Sequence, residues 1–344
     1  MAQQARLMDR QAFYERIDKH ELAPLWEVFR ELITPEPRSP CLPHVWAYDA
    51  VRPFLMESGE LISAKEAERR VLVLENPGMR GASCVTRSLY AGIQLVLPGE
   101  VAPCHRHNQS ALRVVLEGRG GYTGVEGEHI PMQPGDFIIT PSWAWHEHAN
   151  PSAEPVTWLD GLDVPLVQLL DASFFEAHAA ESQPRRFPHG YGLARHGANM
   201  KPADDDHTAA ASPVNHYPYA RSREALHTMR KHDALDRHHG LKMEFVNPLT
   251  GAAAMPTIST FIQLLPGGFQ SRPYRSSDGT VYSVIEGHGE TRVGDKTLPW
   301  GPRDTFVVPS WARHSHHADE ESVLFSFSDR TVQQKLDLWH EEKE

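Results

Sequence analysis

The chain has 344 residues, room for two ordinary domains, and a formal net charge of −11, with no basic patch suited to nucleic acid. Three cysteines, Cys41, Cys84 and Cys104, form no CxxC pair and argue for a reducing compartment. The N-terminus is polar and no apolar run approaches the roughly 18 residues of a membrane span, so a cytoplasmic protein is expected, not a secreted or membrane-inserted one.

Residues from about Asp9 to Leu32 read as helical. Phe13, Ile17, Leu25, Trp26 and Phe29 share an apolar stripe, and Pro24 breaks the segment into two helices. Pro35 to Pro43 reads as a loop, and Ser63 to Arg70 as a further helix ending in Arg69-Arg70, by default a solvated face. From Leu72 strands dominate. Tyr90 to Leu97 is extended, with Tyr90, Gly92 and Gln94 on one face. A strand with His105 and His107 follows, then Val114-Val115-Leu116, a turn at Gly118 to Gly121, and the turn Pro134-Gly135-Asp136. Phe137 to Thr140, Trp143 to His148 and Pro155 to Asp160 complete the set. Many short strands joined by Gly- and Pro-rich turns predict an all-β sandwich of jelly-roll type.

Residues from about 183 to 236 differ in composition and predict an irregular connector with a helix near Ser222 to Leu235. His207, His216, His227, His232, His238 and His239 lie in or near it; their spacing fits no compact site, and surface positions are expected. The rest of the chain repeats the first half. PSWAWHEH at 141 reappears as PSWARHSH at 309, an offset of 168, and Ile93-Gln94-Leu95 as Ile262-Gln263-Leu264, an offset of 169. A repeat this long is a duplicated domain. Aligned on Glu117-Gly118 and Glu286-Gly287, His105 and His107 meet Tyr274 and Ser276, and only His146 keeps its counterpart, His314. The second copy is therefore expected to be structural. A helix from Val332 to Trp339 is predicted to end the chain.

The chemistry concentrates between Gly99 and Asn150. His105 and His107 are two apart on a strand and so share a face; His146 lies on a second strand. Three imidazoles converging there would hold a divalent transition metal. The chain has 21 histidines, so HxH alone is a weak signal. The surrounding pattern strengthens it: Gly99, His105, His107 and Gly118, then Gly135, Pro141, His146 and Asn150. This resembles the two-part signature of the cupin family, with Trp143 where many cupins have Gly and Ala111 where many have a fourth, glutamate ligand. Three neutral imidazoles leave a metal its full charge and about three open positions, suited to an anionic chelating substrate and O2.

Strand parity nominates the neighbours. Arg113, six residues beyond His107, shares its face if the strand runs unbroken, and would clamp a carboxylate. His148 shares the face of His146, as a fourth ligand or, preferably, a donor to substrate oxygen or O2. Asp160 would orient Arg113 or His148, or form a buried structural bond. Gln94 and Tyr90 would line the same cavity. Cys104 is read as a small buried residue.

HRHNQSALRVVLEG, GDFIITPSWAWHEH, the degenerate second copy and ELAPLWEV at Glu21 to Val28 together resemble the gentisate 1,2-dioxygenase family, which includes salicylate and 1-hydroxy-2-naphthoate dioxygenases. The resemblance implies two cupin domains, at 71–175 and 241–344, with a helical segment at 1–70 and a connector at 176–240. It implies one Fe(II) per chain held by His105, His107 and His146, and commonly a homotetramer. It also implies O2-dependent cleavage of an aromatic acid between its carboxyl- and hydroxyl-bearing carbons, gentisate giving maleylpyruvate. Arg113, Gln94, Tyr90 and Arg69 would bind substrate, with Lys65 or Arg80 adding charge, and His148 and Asp160 would assist catalysis. Tyr90 could bond the second hydroxyl of gentisate, whereas an indole there would favour substrates lacking it. Other readings are a Zn(II) or Mn(II) cupin isomerase or hydrolase, which would not consume O2, and a non-enzymatic bicupin, which would normally lack the full histidine set.

Overall fold

Alternating strands and Gly-Pro turns build four antiparallel sheets in the computed structural model, which describes residues 2–198, 200–208 and 210–344. Residues 1–38 form one compact unit and 39–344 another. In the first, helices Ala2–Asp18 and Leu25–Leu32 are separated at Pro24 as expected. Trp26 Nε1 donates to the Tyr14 hydroxyl at 2.9 Å, and the Trp26 ring stacks on Phe13.

The second unit contains the two jelly rolls. In the first, a six-stranded sheet runs in the order 216–217, 137–140, 111–117, 156–162, 90–96, 71–73. It faces a five-stranded sheet of order 175–177, 101–107, 146–149, 122–125, 128–131. The second copy repeats the plan, with sheets of order 44–46, 305–308, 280–286, 322–328, 259–265, 241–244 and 296–300, 289–293, 314–318, 274–276, 341–343. The copies exchange an edge: His44–Trp46, from ahead of the first copy, pairs with Thr305–Val308 of the second.

The largest core joins the two six-stranded sheets. Ile93, Leu112, Val114, Phe137 and Leu159 of the first copy pack with Val281, Val307, Phe325 and Phe327 of the second. Each buried phenylalanine contributes roughly 1.5–3 kcal/mol. The approach is close at Gly161, where a Cβ would lie 2.8 Å from the Phe327 ring. With the outward faces spent on this contact, the inward faces of each sandwich are left for a site.

Several local expectations are corrected. Residues 63–70 are turns, not a helix: Glu68 has φ +54°, and Arg70 bonds the Ile62 carbonyl and Glu100. The helix is earlier, at Tyr48–Leu61. There the buried Tyr48 hydroxyl meets Glu117 and Thr157, each at 2.8 Å, and Arg52 holds Glu117 with two hydrogen bonds. The expected strand from Trp143 begins only at His146, because Trp143 adopts φ +62° in a turn. The connector helix is Tyr219–Arg230, and the last helix, Arg330–Lys335, stops before Asp337 at φ +59°. His216 is buried, not on the surface, since its strand adds to Phe137–Thr140 and its Nε2 lies 3.0 Å from Asp136.

Candidate metal centre

The strand Val101–His107 lies beside His146–Ala149, with His105 directly opposite His146. The ring centroids of His105, His107 and His146 are 4.6, 4.8 and 5.3 Å apart, and one nitrogen from each lies within 4.8 Å of the others. His107 Nδ1 lies 2.8 Å from the Gln109 carbonyl and His146 Nδ1 3.0 Å from the Ala144 carbonyl. A carbonyl can only accept, so Nδ1 carries the proton in both and Nε2 keeps a lone pair for a metal. Burial, reinforced by Arg69, His107 and Arg113, pushes His105 down to about 2. Burial likewise lowers His107 to about 4 and holds His146 far below the usual imidazole range. Neutral, convergent imidazoles, two buried and one half-buried, fit a divalent transition metal. Ala111, at the position of a fourth carboxylate ligand in many cupins, is buried and supplies none.

Other predicted residues gather on the same side. Arg113 and Asp160 are ladder partners, with Nε 3.4 Å from Oδ1. Arg113 Nη1 donates to Thr140 Oγ1 at 2.6 Å, while its buried Nε has no hydrogen-bond partner. Burial raises the Asp160 carboxyl, although Arg113, Trp158 and Arg69 all favour its charged form. Trp158 Nε1 donates to that carboxylate at 3.0 Å. His148 is buried; its Nδ1 sits 3.0 Å from Thr123 Oγ1, and its Nε2 has no partner. Arg69 donates to the Pro103 carbonyl at 2.9 Å and approaches the His146 carbonyl at 3.5 Å. Burial and then the charge of Arg113 push Arg69 down to about 9. Two guanidiniums therefore face one carboxylate beside neutral histidines, an arrangement that favours an added anion. Gln94 is buried and opposite Trp158; Tyr90 heads the same strand, its phenol pushed up by burial and by Asp160.

Comparison with known proteins agrees with this geometry. A cupin domain model matches residues 92–163 and 260–327. Gentisate 1,2-dioxygenase 1 of Aquipseudomonas alcaligenes is 57% identical over 335 residues, covering 97% of this chain and 96% of that one. This chain belongs to the gentisate 1,2-dioxygenase family. A 5-aminosalicylate 1,2-dioxygenase from Comamonas is 36% identical, over 97% of this chain and 90% of its own. Salicylate 1,2-dioxygenase from Pseudoaminobacter salicylatoxidans, solved as adducts with gentisate, superposes with a TM-score of 0.93 at 32% identity, covering 98% of this chain and 94% of that one. The expected all-β bicupin fold and the dioxygenase assignment are borne out.

Within this dioxygenase two sequence candidates fall away from the site. Lys65 pairs with Glu181 on the surface, and Arg80 with Glu75 at 3.3 Å, also exposed. Three neighbours were not anticipated: Thr123, which holds His148; Thr140, which holds Arg113; and Trp158, which bonds Asp160 and lies 5.1 Å from the His148 ring. Strand parity with Asp160 was the available signal for Trp158; Thr123 and Thr140 lie on other strands than the residues they hold. Cys104 is buried as expected.

Proposed function

We propose that this enzyme is a gentisate 1,2-dioxygenase that uses one Fe(II) per chain and O2 to open the ring between the carboxyl- and hydroxyl-bearing carbons, giving maleylpyruvate. The observation that carries the reading is 57% identity to a gentisate dioxygenase along almost the whole chain. Both atoms of O2 end in the product, so gentisate and oxygen are consumed one to one.

His105, His107 and His146 are the ligands in this reading, supported by their convergence and their neutral state. Bound iron would supply a Lewis-acidic, redox-active centre on which an aromatic acid and O2 meet. Arg113 clamps the substrate carboxylate; its buried guanidinium, beside a second arginine and one carboxylate, supports this role. Asp160, held by Trp158, keeps the guanidinium oriented. Arg69 adds a second positive charge on the side of Pro103 and His146. His148, fixed through Nδ1 by Thr123, presents Nε2 to hold a proton or bond a substrate oxygen. Gln94 and Tyr90 line the ring pocket, and the Tyr90 hydroxyl meets the second hydroxyl of gentisate. Fixing the acid between these groups supplies orientation, and their burial excludes water.

Among the described residues no helix is long and apolar enough to cross a membrane. A cytoplasmic homotetramer is the assembly we propose, on the family resemblance and the cysteine usage.

The test is oxygen uptake by Fe(II)-loaded protein offered gentisate, salicylate and 1-hydroxy-2-naphthoate in turn. Stoichiometric uptake with gentisate, far above the other two, is expected, with a maleylpyruvate absorbance appearing. Equal rates with salicylate would overturn the substrate choice, and no uptake with any of them would overturn the reaction.

A further inference from the structure

Arg106 stands between His105 and His107 and points to the opposite face of their strand. Its guanidinium is sandwiched between two indoles, 4.5 Å from the Trp143 ring and 4.4 Å from the Trp145 ring. Nε donates to Glu176 Oε2 at 2.9 Å, and Nη2 donates to the same oxygen. Glu176 is the ladder partner of Arg106 on the strand Phe175–Ala177. The stack thus lies on the outside of the sheet, behind the histidines.

The two ligand-bearing strands need such a tie. Their ladder passes from Ala102–His148 directly to His105–His146, with an irregularity between, and stops there. Beyond His146 the chain turns at Trp143, whose N–H donates to the His107 carbonyl at 2.8 Å. His105 is placed by its own pairing with His146, whereas His107 lies past the last pair, so its distance from His146 is not set by the ladder.

The second copy is an internal control. Arg275 stacks on Trp311 at 4.4 Å and bonds Glu342 at 2.7 Å, which reproduces Arg106, Trp143 and Glu176. At the position of Trp145, however, stands Arg313, which bonds Glu342 and Glu344. One indole of the stack accompanies the fold with or without the three histidines; the second accompanies only the copy that has them.

We infer that Trp145, pressed against Arg106, is a positioning residue that sets the spacing of His146 from His107, and through it the affinity for the divalent ion. The inference rests on reading these histidines as the metal site. A cation–π contact of this kind is strong enough to hold a turn in place, and residues that orient metal ligands commonly change affinity by about 10- to 100-fold when removed.

The experiment is a Co(II) titration of the metal-free full-length protein, followed by visible absorbance, with thermal unfolding measured in parallel. Trp145→Ala is expected to weaken Co(II) binding by about tenfold or more, and Trp145→Phe, which keeps a ring under the guanidinium, to restore most of it. Trp311→Ala in the second copy is expected to lower the melting temperature and leave Co(II) affinity unchanged. Should Trp145→Ala fail to fold, Arg106→Lys takes its place, since an ammonium cannot reproduce the planar stack; it is expected to weaken Co(II) binding. A foldable variant that loses thermal stability yet binds Co(II) as the wild type does would overturn the inference. A wild-type protein that bound no Co(II) would instead overturn the three-histidine reading.

Discussion

The two sandwiches match down to single hydrogen bonds and part chiefly in the inward side chains around the three histidines. Thr123 meets His148 Nδ1 at 3.0 Å, and Thr291 meets His316 Nδ1 at 2.8 Å. His146 Nδ1 lies 3.0 Å from the Ala144 carbonyl, and His314 Nδ1 3.1 Å from that of Ala312. Trp143 and Trp311 share φ +62°. Yet Tyr274 and Ser276 occupy the places of His105 and His107, and ladder positions set Tyr282 for Arg113, Ser326 for Asp160 and Phe261 for Gly92. A Cβ at Gly92 would collide with the Val71 side chain and lie 2.8 Å from the Tyr90 hydroxyl, so glycine lets both close in, where the second copy carries the buried ring of Phe261. The backbone turns and the hydrogen bonds that orient His146 and His148 persist in both copies, whereas His105, His107, Arg113 and Asp160 stand in one.

The sharpest way to break this comparison is to remove the same histidine from each copy. His146→Ala is expected to take metal content from one ion per chain to near zero and to abolish turnover, as a two-imidazole site holds its ion far more weakly. His314→Ala is expected to leave metal content unchanged and to cost roughly 1–3 kcal/mol of stability, because a buried hydrogen bond is lost. Metal analysis of dialysed protein distinguishes them; equal metal loss from both would mean that the second copy also binds.

A smaller effect separates Arg113 from Tyr282. Arg113→Gln keeps a donor for Thr140 but removes the charge facing Asp160 and the substrate carboxylate. Loss of a charge-assisted clamp of about 3 kcal/mol corresponds to roughly a hundredfold rise in KM. Metal content should stay at the wild-type level, and Tyr282→Phe should leave KM where it was. Steady-state kinetics in gentisate would show this; an unchanged KM for Arg113→Gln would remove the clamp.

Why the ligands and the duplicated fold were legible follows from their locality. HxH and the Gly-Pro turns are fixed by a few adjacent residues, and strand parity turns Arg113, His148 and Asp160 inward from the two facing sheets. Non-local pairings were not legible. The helix Tyr48–Leu61 contains Pro53 and Gly59, ordinarily breakers, and is held by a distant Glu117 and Thr157. Gly59 serves packing, for a Cβ there would come within 2.9 Å of Leu97. His216 looked like any surface histidine until its strand brought it to Asp136. Thr123 and Thr140 belong to no motif, and only the completed sheets show what they hold.

The smallest expected effect comes from the tryptophans at φ +62°. A bulky residue in the left-handed region carries roughly 1–2 kcal/mol of strain that glycine would relieve. Against this stands the lost stack, about 0.5–2 kcal/mol. In the first copy, Trp143→Gly leaves Arg106 resting on Trp145 and tied to Glu176, so the two terms nearly cancel. In the second, Trp311→Gly removes the indole on which Arg275 stacks, and Arg313 occupies the place of Trp145. Strain relief is the same in both copies and stack loss is larger in the second, so Trp311→Gly should unfold at the lower temperature of the two. Calorimetry of the paired variants measures the difference; the reverse order would show that the second indole adds nothing to the hold on Arg106.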